Sequence, residues 1–312
     1  MSDARHFTRG DWARALAVVL IWGLNFVVMK LGLRELSPML LGALRFSAAS
    51  LPLLLFVRPP RGLRWRFVLG YGLAQGVGQF GLLFLGLRLG MTASMASVVM
   101  QMQVFFTLLA APWLHERVRP AQWLGLAVAM AGLLAIAAAH GKGPGQMTLI
   151  GFILTTGASA MWAASNVIAR RASQVCAYEP FPFIVWSGAV AVLPFFALAV
   201  WLDGAPSVLA QLRALTLASA GVVLYLALLA TLLAYSLWTR LLQRHPAGEV
   251  APFALMVPVV GLWAGVVLLG EAPSGMQWLG TVVVLAGLIV NQQPGLAWAR
   301  RRQRRAAPPE SR

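Results

Sequence analysis

The chain is poor in charge. Only 11% of its 312 residues are Asp, Glu, Lys or Arg, while 59% are apolar. Soluble proteins run near 25% charged. So few charges cannot cover a water-soluble fold of this size, which makes lipid the solvent for most of its surface. Acids are scarcest: nine, against 25 basic residues, for a net charge of +16. In a soluble protein that balance would suggest nucleic acid. Here no polar domain exists to bind it, and membrane proteins concentrate Lys and Arg in cytoplasmic loops. The single cysteine, Cys176, excludes an internal disulfide and a cysteine-based metal cluster.

The nine acids are Asp3, Asp11, Glu35, Glu116, Glu179, Asp203, Glu249, Glu271 and Glu310. None falls in the middle of an apolar run, and neither do His6, His115, His140 or His245. Proton-driven pumps usually carry such a group inside the membrane. The pattern points to gradient-driven transport, or to coupling through Glu249 at the start of an apolar run. An intramembrane enzyme would need a nucleophile, a metal site or an acid/base pair. There is no HExxH, no GxSxG and no cluster of His or Asp. The reading is non-enzymatic, with no cofactor and no metal.

What is present is a series of apolar runs near the roughly 20 residues that cross a bilayer. Hydropathy and breakers predict spans at Ala13–Leu33, Pro38–Val57, Phe67–Leu87, Ala93–Trp113 and Ala121–Ala139. Five more follow at Thr148–Ile168, Phe181–Leu202, Leu215–Trp238, Val250–Leu269 and Gly275–Val290. The first follows Arg5, Arg9 and Arg14 like a signal peptide, but its length and the runs after it make it a span. Residues 295–312 read as a basic, disordered tail. With ten spans, nineteen Lys and Arg fall on the side of the termini and five on the other, with Arg45 alone inside a span. The positive-inside rule then places both termini in the cytoplasm, in a bacterial-type inner membrane.

The two halves resemble each other. Glu116, Gln122, Trp123 and Gly125 recur 155 residues later as Glu271, Gln277, Trp278 and Gly280. Ala131-Gly132-Leu133 recurs as Ala286-Gly287-Leu288 at the same offset. Trp22 with Asn25 resembles Trp162 with Asn166. Five spans per half is an odd number, so the second half inserts inverted. The charges agree: Arg117 and Arg119 follow Glu116, and no Lys or Arg follows Glu271 in its loop. The predicted fold is an all-α integral membrane protein of ten transmembrane helices in two five-helix inverted repeats, 13–139 and 148–290. Inverted repeats mark secondary transporters, with the substrate site near the midplane.

Several motifs carry a family likeness. They are Ile21-Trp22-Gly23-Leu24-Asn25-Phe26-Val27, Leu44-Arg45-Phe46, Gln101-Met102-Gln103-Val104-Phe105-Phe106, the Glu116 turn and Val257-Pro258-Val259-Val260-Gly261-Leu262. From about Ala13 to Val290 the chain resembles the EamA-type branch of the drug/metabolite transporter superfamily. Within it the likeness is nearest to exporters of O-acetylserine and cysteine. The resemblance implies efflux of small amino-acid metabolites from the cytoplasm by alternating access. Aromatic amino acids or drug-like compounds are the alternative cargo, and a passive channel or lipid flippase the alternative mechanism. The expected partners are a small-molecule cargo and the bilayer, with no nucleic acid, in a monomer or homodimer.

Candidate cargo contacts follow from chemistry. Arg45 either binds a carboxylate or locks two helices through backbone carbonyls, since a charge at that depth must face a cavity or a partner. Gln75 and Gln79, four apart, share a helix face. Gln101, Gln103, Asn25 and Asn166 offer amides that donate and accept, either to a zwitterion or to neighbouring helices. Trp22, Trp162, Trp186, Tyr235 and Trp238 could wall a site for an ammonium group. Trp12, Trp65, Trp113, Trp201 and Trp298 at span ends read as the interfacial belt. Pro112, Pro194, Pro252 and Pro258 interrupt spans; Pro258 and Gly261 are candidate gating residues between spans four and nine, with kinked packing the plain alternative.

Overall fold

A computed structural model describes residues 8–110, 120–139, 147–245, 250 and 253–306. Its regular elements are helices, with no strand among the described residues. Six are long and apolar enough to cross a membrane. These are α1 (Arg9–Gly32), α3 (Trp65–Arg88), α5 (Pro120–Ala138), α6 (Leu149–Val175), α7 (Pro180–Asp203) and α9 (217–244, apolar over Leu217–Leu241). Shorter apolar helices are α2 (Pro38–Leu54), α4 (Ala93–Leu109) and α10 (Met256–Leu269). The last helix, α11 (Gly275–Ala306), is apolar over Gly275–Asn291. A short helix that hydropathy does not reveal, α8 (Ala205–Arg213), follows Gly204, whose φ of 80° reverses the chain.

Local chemistry sets many of these boundaries. Thr8 and Asp11 form a reciprocal capping box that starts α1. Pro38 opens α2, where its missing N–H costs nothing. Pro258 likewise sits in the first turn of α10, because the helix is interrupted at Leu255. The last helix runs past the expected end at Val290 and into the segment read as a disordered tail, reaching Ala306. Ala, Arg and Gln are good helix formers, and a preceding helix spares them the nucleation cost. Pro112, Trp113, Glu116, Glu249 and Pro252 lie outside the described residues.

The helices pack in pairs: α1 with α10, α2 with α7, α5 with α11, α6 with α3 and α4, and α10 with α4. One close crossing, of α5 on α11, is made by four glycines. A Cβ on Gly125 would stand 2.7 Å from the Gly287 carbonyl oxygen, and one on Gly132 would stand 2.6 Å from that of Gly280. The reverse tests give 2.7 Å in both cases. Only glycine lets α5 and α11 approach so closely, the usual device for helix contact in lipid.

The outer faces carry large apolar side chains. Leu193 is 78% exposed and Trp201 77%. Such a surface needs lipid. Trp12, Trp65 and Trp201 all lie exposed near helix ends, as an interfacial belt requires.

Candidate functional site

Arg45 sits on α2 at 2% exposure, among the bundle's inner faces. Its Nη2 donates to Thr231 Oγ1 at 3.1 Å. Its Cζ lies 3.9 Å from the centroid of the Phe80 ring. Nε and Nη1 have no hydrogen-bond partner among the described residues. No described Asp or Glu comes within 4.0 Å of it. The one hydrogen bond of Arg45 to a described residue thus goes to a side-chain hydroxyl on α9 and not to a backbone carbonyl.

Two stretches of wider helix flank this residue. Gly72–Phe80 in α3 and Tyr225–Leu233 in α9 each run nine residues with π-type bonding. Such turns displace backbone carbonyls from the α pattern and recur at functional sites. Thr231 uses one: its hydroxyl donates to the Leu226 carbonyl at 2.8 Å while accepting from Arg45. Trp22 uses another, its Nε1 donating to the Ala230 carbonyl at 3.1 Å. The hydroxyl of Tyr225 returns the contact to α1, at 2.8 Å from the Ile21 carbonyl oxygen.

A cavity of about 350 Å³ opens beside Arg45, within the range of small-ligand sites. From α1 it receives Trp22, Asn25 and Phe26; from α3, Gln79, Phe80 and Leu83. Met100, Gln101 and Gln103 enter from α4, Trp162 and Asn166 from α6. Ala230, Tyr235 and Trp238 come from α9, with Ala254 and Val257 closing the remaining wall. A 3₁₀ turn at Met100–Met102 helps α4 deliver both glutamines. Two residues apart, they would diverge by about 160° on an α-helix and by about 120° on the tighter turn.

The polar groups fall into paired and free sets. Asn166 Nδ2 donates to Gln103 Oε1 at 2.7 Å. Gln101 Nε2 reaches the Ala254 carbonyl at 3.4 Å. The Oδ1 of Asn25 and the Oε1 of Gln79 are buried with no partner among the described residues. Trp22 meets Tyr235 edge-on at 5.1 Å and Trp238 at 5.6 Å, forming one aromatic cluster. The cavity therefore holds a cation, free acceptor oxygens and ring faces within one enclosure.

Two sequence candidates lie elsewhere. Gln75 stands behind the cavity, its Nε2 donating to the Tyr235 hydroxyl at 2.8 Å. Trp186 is well away: its Nε1 donates to the Val57 carbonyl at 3.0 Å and its ring packs edge-on against Trp65 at 5.6 Å. It belongs to the end of α7, so the aromatic wall is built without it. Pro258 and Gly261 are at the α4–α10 crossing. Ser97 Oγ donates to the Pro258 carbonyl at 3.2 Å, and a Cβ on Gly261 would meet Ser97 Cβ at 2.5 Å. The apolar lining and Thr231 escaped sequence reading, because such residues fill membrane helices everywhere.

One end of the bundle is cross-tied by hydrogen bonds. Glu271 accepts from the backbone N–H of Ala93 at 2.7 Å and of Ser94 at 2.8 Å, capping α4. Lys30 Nζ donates to the Leu87 and Met91 carbonyls, and Arg88 returns a bond to the Leu33 carbonyl. At the opposite end of α1, Asp11 pairs with Arg14 at 2.7 Å and approaches His245 Nε2 at 3.1 Å.

Residues 12–138 and 149–292 each match the EamA-like transporter family. The chain belongs to the EamA-like transporter family. Among the relatives of this EamA chain is a Salmonella typhimurium protein named "Probable amino-acid metabolite efflux pump", 40% identical over 91% of this chain and 95% of that one. A protein of the same name from Escherichia coli K12 is 37% identical over 93% and 97%. A "Probable terminal-alkyne amino-acid exporter" from Streptantibioticus cattleyicolor is 26% identical over 91% and 93%. One solved crystal structure aligns with a TM-score of 0.61 at 18% identity, covering 92% of this chain and 97% of the other, and shares the fold. As an EamA protein the chain is a multi-pass membrane transporter, not an enzyme.

Proposed function

We propose that the chain exports small zwitterionic amino-acid metabolites, of the size of O-acetylserine or cysteine, from the cytoplasm by alternating access. The observation that carries this is Arg45. It is a buried cation with two nitrogens unpartnered among the described residues, and it lines the same cavity as Asn25 and Gln79, each with an unpaired oxygen, and the Trp22–Tyr235–Trp238 cluster. A carboxylate fits the first, and an ammonium group fits the amide oxygens and ring faces. The names of the Salmonella and Escherichia coli relatives agree with such a cargo.

We read the architecture as ten membrane helices in two inverted five-helix repeats with both termini cytoplasmic. Support comes from the two separate family matches, one per half. It also comes from the glycine crossing, where Gly125 faces Gly287 and Gly132 faces Gly280, the partners that a two-fold axis relating residues 155 apart would make. On that topology the end tied by Glu271, Lys30 and Arg88 faces outward, and we read those ties as the outer gate. A tied end beside a midplane cavity favours a carrier over a passive channel. Pro258 and Gly261 are our candidate gating positions, because α10 must slide on α4 when that end opens.

The test is a metabolite profile of the medium with the protein overproduced, repeated with Arg45→Gln and Arg45→Lys. O-Acetylserine and cysteine should rise with the parent chain, fall to control with Gln and recover in part with Lys. If both stay at control levels with the folded parent chain while another solute rises, the cargo assignment is wrong.

A further inference from the structure

Arg45 also has a rear side. Arg45, Phe80 and Tyr235 line both the main cavity and a smaller one of about 20 Å³. Tyr71 and Gln75 of α3, Ser187 of α7, and Thr231 and Tyr235 of α9 line it. A single water needs roughly 10–15 Å³, so this space takes one atom-sized guest and no organic carboxylate.

The lining is rich in donors. Arg45 Nε and Nη1 are unpartnered among the described residues. Ser187 Oγ is unpartnered too, at 1% exposure. The Tyr235 oxygen already accepts from Gln75, which leaves its own proton to give. The unpaired acceptor there is Gln75 Oε1, and the Tyr71 hydroxyl lines the same space with a proton to offer it. No described carboxylate neutralises the guanidinium. A buried cation without a counter-charge is strongly disfavoured in a membrane. Water would satisfy donors but leave the charge uncompensated.

We infer that this side pocket binds one small monovalent inorganic anion of chloride size. Arg45 Nε or Nη1 and the hydroxyls of Ser187 and Tyr235 hold it. The anion acts as the counter-ion of Arg45 and fixes the guanidinium plane at the cavity wall. The inference stands on the unpaired guanidinium and the size of the pocket, and does not require the cargo to be an amino acid.

The experiment is equilibrium binding of radioactive chloride to the purified full-length protein in a gluconate background. Saturable binding approaching one ion per chain, displaced by bromide, is expected. Arg45→Gln should abolish it, and Ser187→Ala should weaken it by about tenfold or more through loss of one hydrogen bond to a charge. Gel filtration identifies folded variants, and Ser187→Ala decides the matter alone if Arg45→Gln does not fold. Absence of saturable binding to the folded parent chain overturns the inference. So does binding that survives the folded substitutions, because an ion held by the basic surface would behave that way. Efflux measured in chloride-free medium tests the transport reading separately.

Discussion

Asn166 donates to Gln103 at 2.7 Å, while Asn25, its counterpart near the start of the chain, has an oxygen unpaired among the described residues. The difference follows from the sequence register: 155 residues after Gln103 stands Pro258, which has no amide to offer. One asparagine is spent on joining α4 to α6, and the other is left for a guest. Asn25→Ala should therefore raise the KM for cargo in proteoliposome uptake with little change in thermal stability. Asn166→Ala should do the reverse, lowering stability by about 0.6 kcal/mol, the mean for hydrogen bonds between membrane helices. Equal effects on KM would contradict the division.

Trp22 combines a hydrogen bond to the Ala230 carbonyl with ring contacts to Tyr235 and Trp238. Trp22→Phe keeps a ring and loses the bond; Trp22→Ala loses both. Transport should fall in steps across that series. A Phe variant as impaired as Ala would assign the effect to the bond alone.

At the α5–α11 crossing, an added methyl on Gly132 would sit 2.6 Å from a carbonyl oxygen. Gly132→Ala should force the helices apart and cost about 1–3 kcal/mol, the usual range for overpacking. Gly221 in α9 has nothing within 4 Å of the place a methyl would take, so Gly221→Ala should be neutral or stabilising. Thermal unfolding in detergent compares the two.

Glu271 caps two backbone amides of α4. Glu271→Ala leaves both donors unpaired, at about 1–3 kcal/mol each, and should favour the state open at that end. In a Cys176→Ser background, a cysteine at Gln101 should label faster with an impermeant maleimide added from outside. Unchanged labelling would detach Glu271 from gating.

Acids and histidines keep to the helix ends, as Asp11 and His245 do where α1 meets the end of α9. Cargo flux should accordingly be insensitive to an imposed pH gradient in proteoliposomes. Strict proton dependence would show that a terminal group, such as Glu249, couples transport.

Much of the bundle is legible without coordinates. Apolar runs of span length locate the helices, because lipid leaves the backbone no other partner than itself. Boundaries are less legible: a proline at Pro258 reads as a break within a span but sits in the first turn of α10, and α11 continues past its apolar part. The candidate site divides similarly. Polar or aromatic residues deep in apolar runs are conspicuous, and ten of those named line the cavity. Trp186 is equally conspicuous and lies elsewhere, since an aromatic side chain suits a helix end as well as a cavity.

The sequence by itself determined a helical membrane protein, because composition and run length dictate the solvent and the secondary structure that it tolerates; its motifs carried the likeness to the EamA-like family. The tertiary structure alone decided that Arg45 meets Thr231, 186 residues away, and that Asn25 keeps its oxygen unpaired among the described residues while Asn166 joins Gln103. Periodicity tells which face of a helix is polar. It carries no information on which neighbour that face meets, and in lipid that choice is made by close packing and by the carbonyls that π-type turns release.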